Sequence, residues 1–359
     1  MMANISQIGA GMIGQAMAID LAGDHNVSLG DIDISSIKNK IKNHPSIKVS
    51  KIDVLNQKEI LAFIGEADIV LLAVPGFLGF NTLKTIIEFG KNVVDISFSP
   101  ENIMDLNDIA VQNNVTAIFD AGVAPGIPNY LFGYHNSFED ITHFKYYVGG
   151  LPKFPKKPFN YKAPFSPIDV IEEYIRPARM MVDGREITKP ALSEIERLSF
   201  NESIELEAFN TDGLRSLLKT MAHVRNMSEK TLRYPGHAKL IKSYIEKEIL
   251  QTAPTIKKLF KQWELKPGEY EFTILKVKIQ TTKKMIEYNL YDEYDEASKT
   301  TSMARTTGYT ATATINLILE KLFYEKGVFP PELVSKNKMI FDFLFDYLSN
   351  RDIKISKNI

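Results

Sequence analysis

The chain has 359 residues, 44% of them apolar and 24% charged, with a formal charge of −1; it is long enough for two domains with sizeable cores, and carries no charge excess that favours nucleic acid or an anionic membrane as partner. Cysteine is absent, which excludes disulfides, thiol nucleophiles and thiolate metal sites. No basic leader precedes an apolar segment at the N-terminus, and no apolar run reaches the roughly 18–20 residues of a spanning helix, so the expected setting is soluble and cytoplasmic.

The segment "NISQIG" is a short strand that runs into Gly9-Ala10-Gly11-Met12-Ile13-Gly14, and "MIGQAMAIDLA" continues as a helix with Ile13, Met17 and Leu21 on one face. A second strand, "NVSLGD", ends at Asp31. Strand, glycine turn, helix and strand together predict a dinucleotide site. Gly9 permits the tight turn, Gly11 lets the backbone approach a pyrophosphate, and Gly14 allows close helix–strand packing. The phosphates then sit at the helix N-terminus, beside Met12 and Ile13. Asp31 is placed to accept hydrogen bonds from the adenosine ribose. With Asp33 it repels a 2′-phosphate, so NAD is favoured over NADP. A glycine turn with no ligand is the structural alternative.

Alternation continues through "SIKVSKIDV", "QKEILAFIGEA", the near-continuous apolar strand "DIVLLAVP", "LGFNTLKTIIEFG", "NVVDISF" and "VTAIFD". This pattern predicts a doubly wound parallel sheet buried on both faces. Val74 and Pro75 end one strand, and Ser97 another, on the edge where the nicotinamide is expected. Asp120 ends the strand "VTAIFD" on that edge and enters the turn "DAGVAPGIPNYL". It either has an active-site role or caps the helix that begins at "GIPNYLFGY"; the two are compatible.

Beyond residue 130 the texture changes. "ITHFKYYVGGLP" reads as a strand, the proline-rich "KFPKKPFNYKAPFSP" as a restrained loop, and "EYEFTILKVKIQTTKKMIEYNLYDEYD" as a long hairpin around "QTTKK". An antiparallel sheet is therefore expected in a second domain. "GYTATATINLILEKLFYE", starting after Gly308, and "KMIFDFLFDYLSN" read as helices. The expected division is a dinucleotide domain over 1–130, a substrate domain over 131–300, and helices over 301–359 that return to the first domain, with substrate in the cleft between the two. Arg233 in "TLRYPGH" and Arg305 in "SMARTTGY" have the planar fork that suits a carboxylate; each could equally make an interdomain salt bridge. His237 is a candidate proton carrier or a residue that satisfies backbone groups at a helix start. The histidines show no metal spacing, so no metal is expected.

The segments "GAGMIG", "DAGVAPGIPN", "VGGLP", "FSPIDVIEEYIRPA", "EAFNTDGLRSLL", "EKTLRYPGH" and "SMARTTGY", in that order, resemble the saccharopine dehydrogenase family over about residues 4–345, and within it the lysine 6-dehydrogenase-like branch. The resemblance implies a Rossmann domain completed by C-terminal helices, a mixed α/β substrate domain with a large, largely antiparallel sheet, and a homodimer. It implies amine–imine interconversion on an amino acid or amine with a nicotinamide cofactor. It also implies Asp120 as the acid/base group, where saccharopine-type members have an Asp-Pro-Gly turn, and Arg233 on a substrate carboxylate. By the same resemblance Ser166 and neighbouring Tyr161 or Lys162 line the substrate pocket; Lys162, Lys230, Tyr161 and His237 are competing proton carriers, and Arg305 is a candidate second carboxylate ligand. The departure Asp120-Ala121-Gly122 favours a smaller substrate such as lysine over saccharopine. Reductive coupling of an amine to a carbonyl, as in saccharopine- and carboxynorspermidine-forming members, and non-catalytic NAD binding are the alternatives.

Overall fold

The computed structural model describes residues 2–200, 204–249, 253–266 and 268–358. The chain forms two compact units, Met1–Ser137 with Ala304–Asp352, and Phe138–Met303 with Ile353–Ile359. Among the described residues no helix is long and apolar enough to cross a membrane.

The strands of the first unit are β1 (Asn4–Ile8), β2 (Asn26–Asp31), β3 (Ile47–Lys51), β4 (Ile69–Leu72), β5 (Asn92–Asp95) and β6 (Thr116–Phe119). A short strand from the returning segment, Gly327–Phe329, pairs with β6 and completes a seven-stranded sheet. All its pairings are parallel. From β6 the order runs β5, β4, β1, β2, β3. The chain reverses direction across the sheet between β1 and β4, and ligands bind at the carboxyl ends flanking such a switch point. Every residue of β4 and β6 is buried, as a strand covered on both faces requires. Ile69, Leu71 and Ile118 pack on one side with Met17, Leu21, Ile315 and Leu344. Val70, Leu72 and Ala117 pack on the other with Ile60, Leu83 and Ile86. Burial of aliphatic side chains of this size is worth roughly 2 kcal/mol each.

Helices Ser302–Leu319 and Lys338–Ser349 thus share a core with helix Met12–Leu21. The first of them begins upstream of Gly308, contrary to the expected start, so Arg305 lies inside the helix and not ahead of it. A Cβ on Gly308 would lie 3.0 Å from Met17 Cγ. The glycine permits close helix–helix packing there and does not mark a helix start.

The second unit contains β7 (Ile141–Pro152), β8 (Ala178–Val182), β9 (Arg185–Lys189), β10 (Glu196–Phe200), β11 (Ile204–Asn210), β12 (Asn226–Arg233), β13 (Glu271–Thr281) and β14 (Met285–Glu293). The path across its nine-stranded sheet is β10, β11, β12, β7, β13, β14 and the terminal strand Ile355–Asn358, with β8 and β9 attached beside β12. The β7–β12 pairing is parallel and its neighbours are antiparallel. β13 and β14 form the long hairpin that the sequence predicts, in register from Phe272 opposite Glu293 to Gln280 opposite Met285. Helices Pro167–Ile175, His237–Glu246 and Ala253–Trp263 cover one face, where Tyr161, Tyr174, Phe209, Ile241 and Trp263 cluster. Leu206, Ala208, Leu232 and Ile274 pack elsewhere, in a separate core. The alternation on β11 and β12 therefore places Phe209, Thr231 and Arg233 on the helix-covered side.

Candidate functional site

The glycine loop of the first unit follows β1. Gly9 has φ +108°, and a Cβ there would lie 2.3 Å from the Ala73 carbonyl oxygen. A Cβ on Gly14 would lie 2.2 Å from the Gly9 carbonyl oxygen, whereas one on Gly11 would meet nothing within 4 Å. Gly9 and Gly14 are thus demanded by packing, while Gly11 leaves an open approach. Gly11 is also the N-cap of helix Met12–Leu21, which has no side-chain cap and no acidic residue in its first turn. Its first-turn N–H groups suit an anion, and a cradle of this kind fits a dinucleotide pyrophosphate. Met12 is exposed beside it. The Asp31 carboxylate accepts hydrogen bonds from Ala10 N (2.6 Å) and Asp33 N (2.9 Å), which hold it against the loop.

Val74 and Pro75 follow β4, and Pro75 is the N-cap of helix Gly76–Glu88. That helix packs against Ser97: a Cβ on Gly79 would lie 2.1 Å from both Ser97 Oγ and Ser99 Oγ. Ser97 is itself fixed by its N–H donating to Asp95 Oδ1 (2.9 Å). Gly9, Val74, Pro75 and Ser97 thereby come together at the carboxyl edge of the sheet.

Asp120 stands one residue beyond β6, 4% exposed, with φ +56°. A non-glycine residue in the left-handed region is uncommon and concentrates at functional sites. The turn after it is closed by Gly122 N donating to the Pro125 carbonyl and Ile127 N to the Gly122 carbonyl, both 3.1 Å. Gly126 is the N-cap of helix Ile127–Asn136 and donates its N–H to Asn129 Oδ1 (3.1 Å). It has φ +139°, and a Cβ there would lie 1.8 Å from the Gly122 carbonyl oxygen. Gly126→Ala is expected to lower stability by about 3 kcal/mol or more. Gly236→Ala, at φ +94° with open space around it, should cost only about 1 kcal/mol. Urea unfolding of the two variants checks the difference, and equal losses would show that close packing at Gly126 contributes nothing.

In the second unit Tyr161, Arg233 and His237 form one buried cluster with Glu173 and Tyr174. Arg233 is 3% exposed. Its Nε donates to Tyr174 Oη (2.8 Å), its Nη2 to Glu173 Oε2 (3.1 Å), and its Nη1 to the Leu232 carbonyl (2.9 Å). The guanidinium lies over the Tyr161 ring, 4.5 Å from the centroid, a cation–π contact strengthened by burial. His237 Nδ1 is 2.9 Å from the Phe159 carbonyl, an acceptor only, so Nδ1 carries the proton. Nε2 then accepts from Tyr174 Oη at 2.9 Å. Burial and the Arg233 charge push the His237 pKa down to about 3, so the ring is neutral. It holds Tyr174 in place, with both nitrogens engaged. Burial raises the Tyr161 and Tyr174 hydroxyls above their ordinary range, which keeps them protonated.

Lys162 Nζ donates to the Glu264 carbonyl (2.6 Å) and pairs with Glu269 at 3.3 Å. With Lys156, Lys157, Phe154, Tyr161 and Tyr270 it lines a cavity of about 360 Å³. Ser166 is the N-cap of helix Pro167–Ile175 without a side-chain capping bond. Arg305 belongs to the first unit, where its Nη2 donates to the Arg351 carbonyl (3.0 Å). No group of three or more metal-ligating side chains occurs among the described residues.

Sequence reasoning missed Glu173, Tyr174, Glu207 and Glu229. Glu207 accepts from Gly236 N and Ala238 N (2.8 and 2.7 Å) and so caps helix His237–Glu246. The spacing Glu229, Thr231, Arg233 was a usable signal, since alternate residues of a strand share one face.

A family model described as the saccharopine dehydrogenase C-terminal domain matches residues 122–353, and one described as the saccharopine dehydrogenase NADP binding domain matches residues 5–118. Mouse mitochondrial alpha-aminoadipic semialdehyde synthase is 21% identical over 67% of this chain and 27% of its own length. The Arabidopsis thaliana alpha-aminoadipic semialdehyde synthase is 23% identical over 45% of this chain and 16% of its own. Saccharopine dehydrogenase [NADP(+), L-glutamate-forming] of Saccharomyces cerevisiae is 22% identical over 69% of this chain and 58% of its own. The chain therefore spans less than two thirds of these curated relatives. Among solved structures, apo saccharopine dehydrogenase (L-Glu forming) of S. cerevisiae superposes with a TM-score of 0.78 at 17% identity, covering 99% of this chain and 100% of that one. Homospermidine synthase of Legionella pneumophila, in complex with NAD, gives 0.71 at 12% identity, covering 99% and 91%. These structures share the fold. With its Rossmann unit and its mixed-sheet unit both matched by the family's own models, the chain belongs to the saccharopine dehydrogenase family of NAD(P)-linked oxidoreductases.

Proposed function

We propose that the protein oxidises or forms the C–N bond of a secondary amine that joins two amino-acid-like halves, the saccharopine type of reaction, with NAD as preferred cofactor. The observation that carries this reading is the basic character of the second unit's polar site. Arg233 is buried and pre-oriented by Glu173, Tyr161 and Tyr174, and Tyr161 also lines the cavity that carries Lys156, Lys157 and Lys162 against the single carboxylate of Glu269. Such a surface suits a substrate with several carboxylates, whereas the cationic side chain of lysine meets like charge there.

A bound nicotinamide supplies the hydride chemistry. The chain's own groups divide the other tasks. Gly9–Gly14 hold the pyrophosphate, Asp31 the ribose, Val74, Pro75 and Ser97 the nicotinamide end, and Arg233 a substrate carboxylate. Asp120 takes or relays the amine proton, because an amine must be uncharged before its carbon can give up hydride. The second reading is lysine 6-dehydrogenase-type oxidation of a simpler amino acid, favoured by Ala121 where saccharopine-type members have proline. A homodimer accompanies either reading as an expectation of the family, and sedimentation checks it.

The test is cofactor reduction by purified protein given NAD or NADP with saccharopine, lysine, ornithine or diamines, followed by the reverse reaction. Saccharopine-dependent turnover supports the first reading; lysine turnover with saccharopine inert supports the second. NAD binding without turnover in either direction supports a non-catalytic protein. For the cofactor, Asp31→Asn keeps one acceptor oxygen and removes the charge. It is expected to shift the NAD/NADP ratio of kcat/KM toward NADP by about tenfold, the worth of one partly screened charge contact. An unchanged ratio would remove Asp31 from cofactor selection.

A further inference from the structure

Glu229 and Glu173 are joined by two threonine hydroxyls. Thr211 Oγ1 lies 2.7 Å from Glu229 Oε2 and 2.9 Å from Thr231 Oγ1, and Thr231 Oγ1 in turn bonds Glu173 Oε1. Glu229, Thr211 and Thr231 are each at most 3% exposed, so water does not substitute for a missing partner. The other oxygen of Glu173 accepts from Arg233.

Counting hydrogens decides the charge of this chain. It has three oxygen–oxygen contacts, and each threonine supplies one hydrogen. If both carboxyls are ionised, Thr211 donates to Glu229 and Thr231 to Glu173. The Thr211–Thr231 contact then has no hydrogen and sets two lone pairs against each other. One carboxyl proton completes the series. It runs either from Glu229 through Thr211 and Thr231 to an ionised Glu173, or in the reverse sense from Glu173 to an ionised Glu229. A shift of one hydrogen across each contact interconverts the two without moving a heavy atom far.

We infer that Glu229 and Glu173 share one proton through Thr211 and Thr231, held on Glu229 while Arg233 pairs with Glu173 and passed to Glu173 when an anionic substrate group draws the Arg233 charge away. The second half rests on the proposed role of Arg233 as a carboxylate ligand. Glu173 and Glu229 are thereby positioning residues, which let Arg233 exchange one carboxylate for another without leaving a bare buried charge.

The surroundings agree. Around Glu229 stand Gly213 N, which donates at 3.1 Å, and Asp212, whose carboxylate is held in a bidentate pair with Arg179. Tyr146, opposite Glu229 on β7, is turned to the Gly213 carbonyl. Around Glu173 stand Arg233, Tyr161 and Tyr174, and the neutral His237 adjoins Tyr174. Among the described residues no cation pairs with Glu229, and burial with the nearby Glu173 and Asp212 charges raises its pKa to about 8.

Two substitutions separate this inference from simple burial. Thr231→Val frees Thr211 to donate to an ionised Glu229, so the Glu229 titration should move down by about one unit. Thr211→Val removes that donor, so the titration should move up by a similar amount. Burial alone moves both in the same direction. Isotope-edited infrared spectra of the full chain with ¹³C-glutamate follow the protonated carboxyl band, assigned to Glu229 by its loss in Glu229→Gln. Shifts of opposite sign are expected, and shifts of the same sign overturn the shared proton. Saccharopine is then added to the wild-type protein at neutral pH. The Glu229 band should fall, and a band absent from Glu173→Gln should rise. Bound saccharopine with an unmoved Glu229 band overturns the transfer. Failure of saccharopine to bind overturns the proposed substrate, and the transfer with it, while the two threonine variants still decide the shared proton.

Discussion

Asp120→Asn should reduce kcat by a factor of about 10²–10⁴, the usual worth of a positioned acid or base, with KM for the cofactor unchanged. The substitution suits the backbone. Asp120 sits at φ +56°, a conformation that asparagine adopts as readily as aspartate, so the variant isolates the carboxylate charge from strain in the turn. Alanine there would confound the two. The measurement is steady-state turnover across pH, with NAD binding and thermal stability recorded in parallel. A folded variant that binds NAD and keeps the parent's rate and pH profile would remove Asp120 from the chemistry. Loss of folding with loss of rate would instead mark the carboxylate as structural.

Arg233→Met should lower stability through a stranded charge. It leaves Glu173 without its cation and Tyr174 without a donor, and breaking a buried pair from one side costs about 3–5 kcal/mol. Glu173 keeps 17% of its side chain exposed, so the lower end is expected, about 3 kcal/mol. Removing both partners in Arg233→Met/Glu173→Leu should recover more than half of that loss, because the penalty comes from the stranded charge. Urea denaturation of the two single variants and the double variant gives the coupling directly. A strictly additive double variant would show that the pair does not act as a unit.

Stability should also vary with pH in a defined sense. Glu229 and Glu271 are both buried and raised to about 8, so the folded protein keeps protons that the unfolded chain has released above the ordinary carboxyl range. Their joint contribution falls as pH rises from about 4.5 to about 8 and levels off beyond. Glu229→Gln cannot ionise, so its melting temperature relative to the wild type should climb through that window. A difference independent of pH would mean that Glu229 is ionised in the folded state.

The first unit was legible in the sequence because its signals are local. Near-continuous apolar runs such as "DIVLLAVP" state their own burial, and Gly9 and Gly14 occur next to the strand and helix whose geometry requires them, with Gly11 between them. The Gly327–Phe329 strand was not legible, since three residues carry no periodicity of their own and become a strand only by pairing with β6. Gly308 misled for a related reason: a glycine that serves helix–helix packing looks, in sequence, like a helix boundary.

The site divides in the same way. Sequence by itself determined the dinucleotide loop, the acidic end of β2, the edge on which Asp120 stands, and Arg233 as a residue of interest. Tertiary structure alone decided what Arg233 and His237 touch. The partners Glu173 and Tyr174 come from a helix about sixty residues earlier, laid across the sheet by Val170, Ile171 and the aromatic cluster around Trp263. Hydrogen-bond partnership and pKa depend on distance and burial, and residues far apart in the chain acquire both only when packing brings them together. The proton count across Glu229, Thr211, Thr231 and Glu173 therefore had no counterpart in the sequence.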